Sequence, residues 1–382
     1  MNTDNKALCK KTRFEVLDIM KGFGMLVLMM CHSFSPLAHY FGIFFLAMFL
    51  MISGFTWNEK HTQTWHDTWE CIKKRFKALM VPYFVYSIIF LSLTNVFVKL
   101  NIYPAGLSGI DILGPDGYLG IEGYFMGLLS VSLGFMGSVF TAALWYFYQL
   151  FLVYVLHAVV CRIFRKWIER RRLIFYLVLI ALVLLLMQFF NSLDGEKAKV
   201  VKLLCIRFLS CYVAFIMGVP ARMIYNKLNI SGIHPIQVVL FVITAGLIYV
   251  MNTFTTVDLG AGSITSVWSY IVCAILGFIF TYCLAYMLDN NDRTKKLANA
   301  MSYIGQNTKP IMVYHLIFFK PVALIYILIC GLSFEALQQF PVIIDENHTW
   351  MWIFYSISGL TLSLLMDKLV KMLRELIAKW KK

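Results

Sequence analysis

Long apolar runs separated by short polar segments, most of them basic, set the pattern of this chain. At a rise of about 1.5 Å per residue, roughly 20 apolar residues cross the ~30 Å hydrocarbon layer of a bilayer. Runs near that length fall at 15–34, 40–57, 79–100, 141–164, 173–190, 204–221, 236–252, 264–288, 310–332 and 350–370. They predict an all-α integral membrane protein with about ten transmembrane helices. A further apolar stretch, 118–137, holds several glycines and Glu122. An eleventh crossing there would invert every later loop and carry Arg170, Arg171 and Arg172 outside, so this stretch reads as re-entrant or interfacial. No repeat, low-complexity tract or linker divides the chain, which reads as one domain over 1–382.

Charge fixes the orientation. Of 34 Lys and Arg, 27 fall at the two ends and in alternate loops, against only Lys197, Lys199 and Lys202 in the opposite loops. The positive-inside bias therefore puts both termini in the cytoplasm, as in a multi-pass protein of a cell membrane such as the bacterial inner membrane. The composition, 60% hydrophobic and 14% charged, departs from the soluble norm of roughly 45–50% and about 25%. The net charge of +14 thus belongs to topology, and nucleic acid falls away as a partner. Lys6, Lys10, Lys11 and Arg13 precede a run too long for a signal peptide, so the first span is expected to stay. The nine Cys fall in cytoplasmic segments or in spans, away from loops where oxidation would pair them. No CxxC or HxxxH spacing suggests a metal, and the sequons Asn229-Ile-Ser231 and Asn347-His-Thr349 are chance-level matches.

Ionisable residues within spans are the functional candidates, because lipid tolerates them only facing a bundle interior or a watered cavity. Asp18, Lys21 and His32 share one face of the first helix, since Lys21 to His32 advances about 20° past three turns. Asp18 and His32 lie about 21 Å apart along that face. Two readings fit: a functional lane, or an Asp18–Lys21 ion pair near the inner surface with His32 capping the outer end. Before the third span, Lys73-Lys74-Arg75-Phe76-Lys77 suits an anionic ligand or anionic lipid. Lys320, followed by Pro321, is a mid-membrane ammonium with no evident mate. His315 reads as packed or as part of the same cavity. Glu122 reads as a carboxylate orienting an imidazole or as an interfacial acid. Trp145 and Tyr146 suit either sugar stacking or an interface belt.

Five blocks recur in a familiar order. They are Arg13-x4-Asp18-x2-Lys21-Gly22-x9-His32; Phe44 through Ser53-Gly54-Phe55; Lys74-Arg75-Phe76-Lys77 to Pro82-Tyr83; Leu144-Trp145-Tyr146-Phe147; and Ile304-Gly305-Gln306-Asn307-Thr308 through His315. Together they resemble the acyltransferase 3 family of integral-membrane acyltransferases, particularly its fucose 4-O-acetylase-like branch. Many members carry Arg where this chain has Lys21, and an Arg-x-x-Arg pair where it has Lys74 and Lys77. The resemblance implies transfer of an acetyl or similar acyl group from acyl-CoA, a donor substrate rather than a resident cofactor, to a sugar hydroxyl. The acceptor it implies is a glycan or lipid-linked sugar at the membrane. His32 would be the base, aided by Asp18 and Glu122. Lys21, Lys74, Arg75, Lys77 and His315 would hold the donor, and Trp145, Tyr146 and Lys320 the acceptor. A base with an unperturbed pKa of about 6.5 suits that step, and a transient acyl-imidazole is the other route.

Two other functions fit the hydropathy. A transporter or flippase of a lipid-linked or anionic glycan would use the same spans and buried charges, though no paired halves with matching interruptions are visible. A scaffolding subunit of a polysaccharide synthase would leave Lys21, His32 and Lys320 without a role.

Overall fold

The computed structural model describes residues 3–104, 112–193, 195, 199–227 and 235–380, with side chains from Glu15 onward. The Arg13 side chain, Lys197 and the sequon Asn229-Ile-Ser231 lie outside the described residues. The helices in chain order are α1 (Thr3–His32), α2 (Ala38–Gly42), α3 (Phe45–Phe55), α4 (Trp65–Arg75), α5 (Val81–Ser92), α6 (Thr94–Lys99), α7 (Ile121–Ser132) and α8 (Trp145–Ile163). They continue with α9 (Arg165–Asn191), α10 (Lys199–Lys227), α11 (Pro235–Asn252), α12 (Val267–Asp289), α13 (Lys295–Gln306), α14 (Thr308–Phe318), α15 (Lys320–Cys330) and α16 (Trp352–Trp380). Among the described residues the sheet is one two-residue hairpin, β1 (Val257–Asp258) with β2 (Ser263–Ile264).

This is an all-α integral membrane protein. Among the described residues nine segments are long and apolar enough to cross a membrane, and they fall on the second to tenth predicted spans. The first predicted span falls on α1, whose described part carries Glu15, Asp18 and Lys21. The stretch read as re-entrant contains α7, a helix of 12 residues and about 18 Å, too short to cross.

Proline explains two interruptions. The basic segment of α4 passes into a π-helical turn, Phe76–Met80, immediately before α5. Pro82 has no amide proton for Ala78 and its ring crowds that carbonyl, so the α-ladder is rerouted there. The ninth predicted span, 310–332, is two helices rather than one: Pro321 breaks the ladder between α14 and α15, and Lys320 sits at the break.

The chain divides into two compact units. The first comprises Met1–Val27, His39–Phe76 and Gln149–Gln306. Its densest element is α10, buried almost continuously from Ile206 to Pro220 and packed on α3 and α9, with α11 against α12. α1 and α13 cross at Gly22 and Gly305. A Cβ on Gly22 would strike the Met301 carbonyl, and one on Gly305 the Asp18 carbonyl, so only glycine admits this approach. The second unit comprises Leu28–Ala38, Lys77–Tyr148 and Asn307–Lys382. There α14 packs on α16 and on the 3-10 turn Val139–Leu144, while α5 packs on α7. The Tyr83 hydroxyl donates to the carbonyls of Val131, at 2.7 Å, and Phe135, at 3.1 Å, tying α5 to the end of α7.

Candidate active site

The second unit brings two of the candidate residues together. His32 is the last residue of α1 and is half-buried. His315, on α14, is fully buried, and the two ring centroids are 5.1 Å apart with planes at 52°. His315 Nδ1 lies 2.8 Å from the Ile311 carbonyl, one turn back on its own helix. A carbonyl only accepts, so Nδ1 carries the proton and Nε2 presents a lone pair. That Nε2 has no hydrogen-bond partner. A buried polar atom in this condition costs free energy and marks either a functional group or a place for a polar ligand.

Neighbouring groups hold the pair. The residue after His32, Ser33, donates its hydroxyl to the Met29 carbonyl at 2.7 Å and lies 3.2 Å from the Ser356 hydroxyl on α16. The Ser358 hydroxyl donates to the Phe318 carbonyl at 2.6 Å, joining α16 to the end of α14. Between these ties is Gly359, where a Cβ would lie 2.6 Å from the Phe319 ring and 2.9 Å from Met29 Sδ. Phe319 is edge-on to both His315 and Tyr355. The segments that carry the two imidazoles are thus tied together from α1, α14 and α16.

Asp18 and Lys21 are found with each other. Lys21 Nζ is 2.5 Å from Asp18 Oδ1, with 31% and 19% of the side chains exposed. This is the i, i+3 pair of the plainer expectation, in the first unit and eleven or more residues along α1 from His32. Beside it, Lys295 Nζ bridges Asp289 at 2.6 Å and Glu15 at 3.8 Å. The Asp289 hydrogen bond raises the Lys295 pKa against the effect of burial. A cavity of about 260 Å³ adjoins this bridge, with Asn299, Ser302, Tyr303 and Gln306 in its walls. Sequence reasoning missed it because its walls come from two distant, ordinary-looking stretches.

The three candidate cations before α5 differ. The Arg75 guanidinium stacks 4.0 Å above the Tyr154 ring, whereas Lys74 and Lys77 are exposed. His61 senses them: burial first, then Arg75 and Lys74, lowers its pKa. Glu122 is exposed in the first turn of α7, where its charge faces the helix N-terminus. Tyr146 is buried and Trp145 partly so, at the start of α8, directly after the 3-10 turn that packs on the His315 helix.

Lys320 finds the mate that its sequence lacked. It is buried, and Nζ donates to the carbonyls of Leu337, at 2.8 Å, and Gln339, at 2.6 Å. Two of its three donors thus clamp a loop, which leaves little for an acceptor. Nearby in chain order, Asp345 accepts from the Tyr326 hydroxyl and lies 3.0 Å from His348 Nδ1. The Tyr326 contact, then His348 and the Asn347 amide, lower the Asp345 carboxyl to about 2. Neither Tyr326 nor Asp345 stood out in the sequence.

The fold is that of an all-α membrane protein with an imidazole pair at the end of α1. The family model described as an acyltransferase domain matches residues 14–368, nearly the whole chain, and the protein belongs to this acyltransferase 3 family. It is a multi-pass membrane acyltransferase. No curated protein matches, and no solved structure matches.

Proposed function

We propose that this acyltransferase moves an acetyl or similar acyl group from acyl-CoA to a hydroxyl of a sugar in a cell-surface oligosaccharide or polysaccharide, in the manner of the fucose 4-O-acetylase-like branch. The observation that carries this reading is the half-buried His32 held beside the buried His315. His32 takes the proton of the sugar hydroxyl as its oxygen attacks the thioester carbonyl; the carbon–sulfur bond breaks and CoA leaves as the thiol once a proton returns. His315 is a positioning residue, its tautomer set by the Ile311 carbonyl. The cations Lys74 and Arg75 suit the phosphates of the donor, and Trp145 and Tyr146 suit the sugar face. The protein works in the plasma membrane of a bacterium with both termini in the cytoplasm, the orientation that its basic loops favour.

The test is release of free CoA from acetyl-CoA by purified protein in lipid, with and without a crude glycan fraction, for the parent and His32→Ala. Acceptor-stimulated release that the variant lacks supports the reading. No release with any acceptor, together with unchanged acetyl-CoA binding by the variant, moves the weight to glycan transport.

A further inference from the structure

The C-terminal helix is longer than a bilayer needs. α16 has 29 residues and runs about 43 Å, against ~30 Å of hydrocarbon. The 15 residues before Asp367, the first charged residue of this helix, rise only about 22 Å, so ~30 Å of hydrocarbon is crossed near Lys371 and the last turns extend past it. Those turns are not polar all round. Leu369, Met372, Leu373, Leu376, Ile377 and Trp380 recur at intervals of one, three and four and fill an arc of about 140°. All six are exposed, from 45% at Leu369 to 92% at Trp380. Lys368, Lys371, Arg374 and Lys379 occupy the remaining arc with Asp367 and Glu375, and Lys371 pairs with Asp367 at 2.6 Å.

Two occupants would cover such a face, and its width decides between them. A coiled-coil seam with a second copy is narrow, with apolar positions a and d flanked by charged e and g. Taking Leu369 and Leu376 as d and Leu373 and Trp380 as a, the flanking Met372 and Ile377 are apolar too. A broad apolar face edged by cations, with a tryptophan on it, is the pattern of a helix lying in a lipid interface. The charge complements anionic headgroups, each nearby cation adding about fivefold to partitioning. α16 runs unbroken from the span into this segment, so the seat requires the helix to tilt or bend where it leaves the hydrocarbon.

We propose that Asp367–Trp380 is an interfacial anchor, seated with its leucine face in the acyl boundary of an anionic leaflet and its cations among the headgroups. The full-length protein is reconstituted in vesicles of brominated phosphatidylcholine, with or without brominated phosphatidylglycerol. The Trp380 signal is the difference between the parent and Trp380→Phe. In anionic vesicles Trp380 is quenched and blue-shifted, the quenching weakens as salt is raised, and it is largely lost when Lys368, Lys371, Arg374 and Lys379 are all changed to Glu. The salt titration needs only the parent and Trp380→Phe, so the result does not depend on the charge-reversal variant folding. Equal quenching in neutral and anionic vesicles overturns the anionic partner. An unquenched Trp380 overturns the lipid seat, and crosslinking between copies through this segment would then assign the face to a second chain.

Discussion

His157 and His315 are both buried imidazoles on interior helix faces, and their differences show what separates a candidate catalyst from a packed core residue. Neither exposes any surface, and each has one nitrogen without a hydrogen-bond partner. Each also holds its other nitrogen near a group one turn away: His157 Nε2 lies 3.3 Å from Cys161 Sγ, and His315 Nδ1 donates to Ile311. The surroundings diverge. His157, in the first unit, is ringed by Trp57 at 4.9 Å, Phe215 at 5.0 Å, Tyr176 at 5.9 Å and Tyr212 at 6.1 Å. His315, in the second, faces the part-exposed His32. Burial and an orphan nitrogen are thus shared; what differs is the neighbour, an aromatic cage with the Cys161–Tyr176–Glu59 chain beside His157 and a second, part-exposed imidazole beside His315.

The comparison breaks most sharply at His32. Its replacement by Ala should cost about 10²–10⁴-fold in acceptor-dependent CoA release while membrane abundance and melting temperature stay unchanged. Retained transfer would remove His32 from the base role and, with it, the contrast between the two sites. His315→Gln should cost about 10–10²-fold, the scale of a misplaced catalytic group. The loss should appear in kcat and in the pH–rate profile rather than in the donor KM. An effect on stability alone would make His315 a core residue like His157.

Lys320 extends the comparison from imidazoles to ammonium groups. Lys320→Met leaves the Leu337 and Gln339 carbonyls without a donor and should destabilise the protein by about 1–3 kcal/mol. Donor affinity should not change. A fall in acceptor use without loss of melting temperature would return this residue to substrate binding. The smallest effect is expected from His157→Phe, which keeps an aromatic ring in an aromatic cage. Turnover should stay within about twofold and stability within about 1.5 kcal/mol. A loss as large as that of His315→Gln would erase the distinction.

Much of this architecture is legible in the amino-acid sequence. The spans follow from the length and hydropathy of each run, because a bilayer imposes one thickness on all of them. The Asp18–Lys21 pair can be read from i, i+3 spacing. His32 and His315 stand out individually as ionisable residues in lipid, and the family resemblance places both in its motifs. Their pairing is not legible, because helix periodicity says nothing about which distant helix lies opposite. The partner of Lys320 is harder still: it is made of backbone carbonyls, which every residue has and no side-chain pattern announces. The break beside Lys320 is signalled by Pro321, yet hydropathy averaged across it gives one span. The Asp289–Lys295–Glu15 bridge leaves no signal, since no helical spacing relates Glu15 to residues more than 270 positions later.

The Lys320 clamp also has a bearing on how the protein is made. Leu337 and Gln339 are synthesised after the ammonium that they receive. During translation, which supplies the chain from its N-terminus, a bare cation at the break between α14 and α15 is therefore made before its acceptors exist. The ammonium is met only once the chain is complete through Gln339, so residues 320–339 must all be in place before this clamp can close.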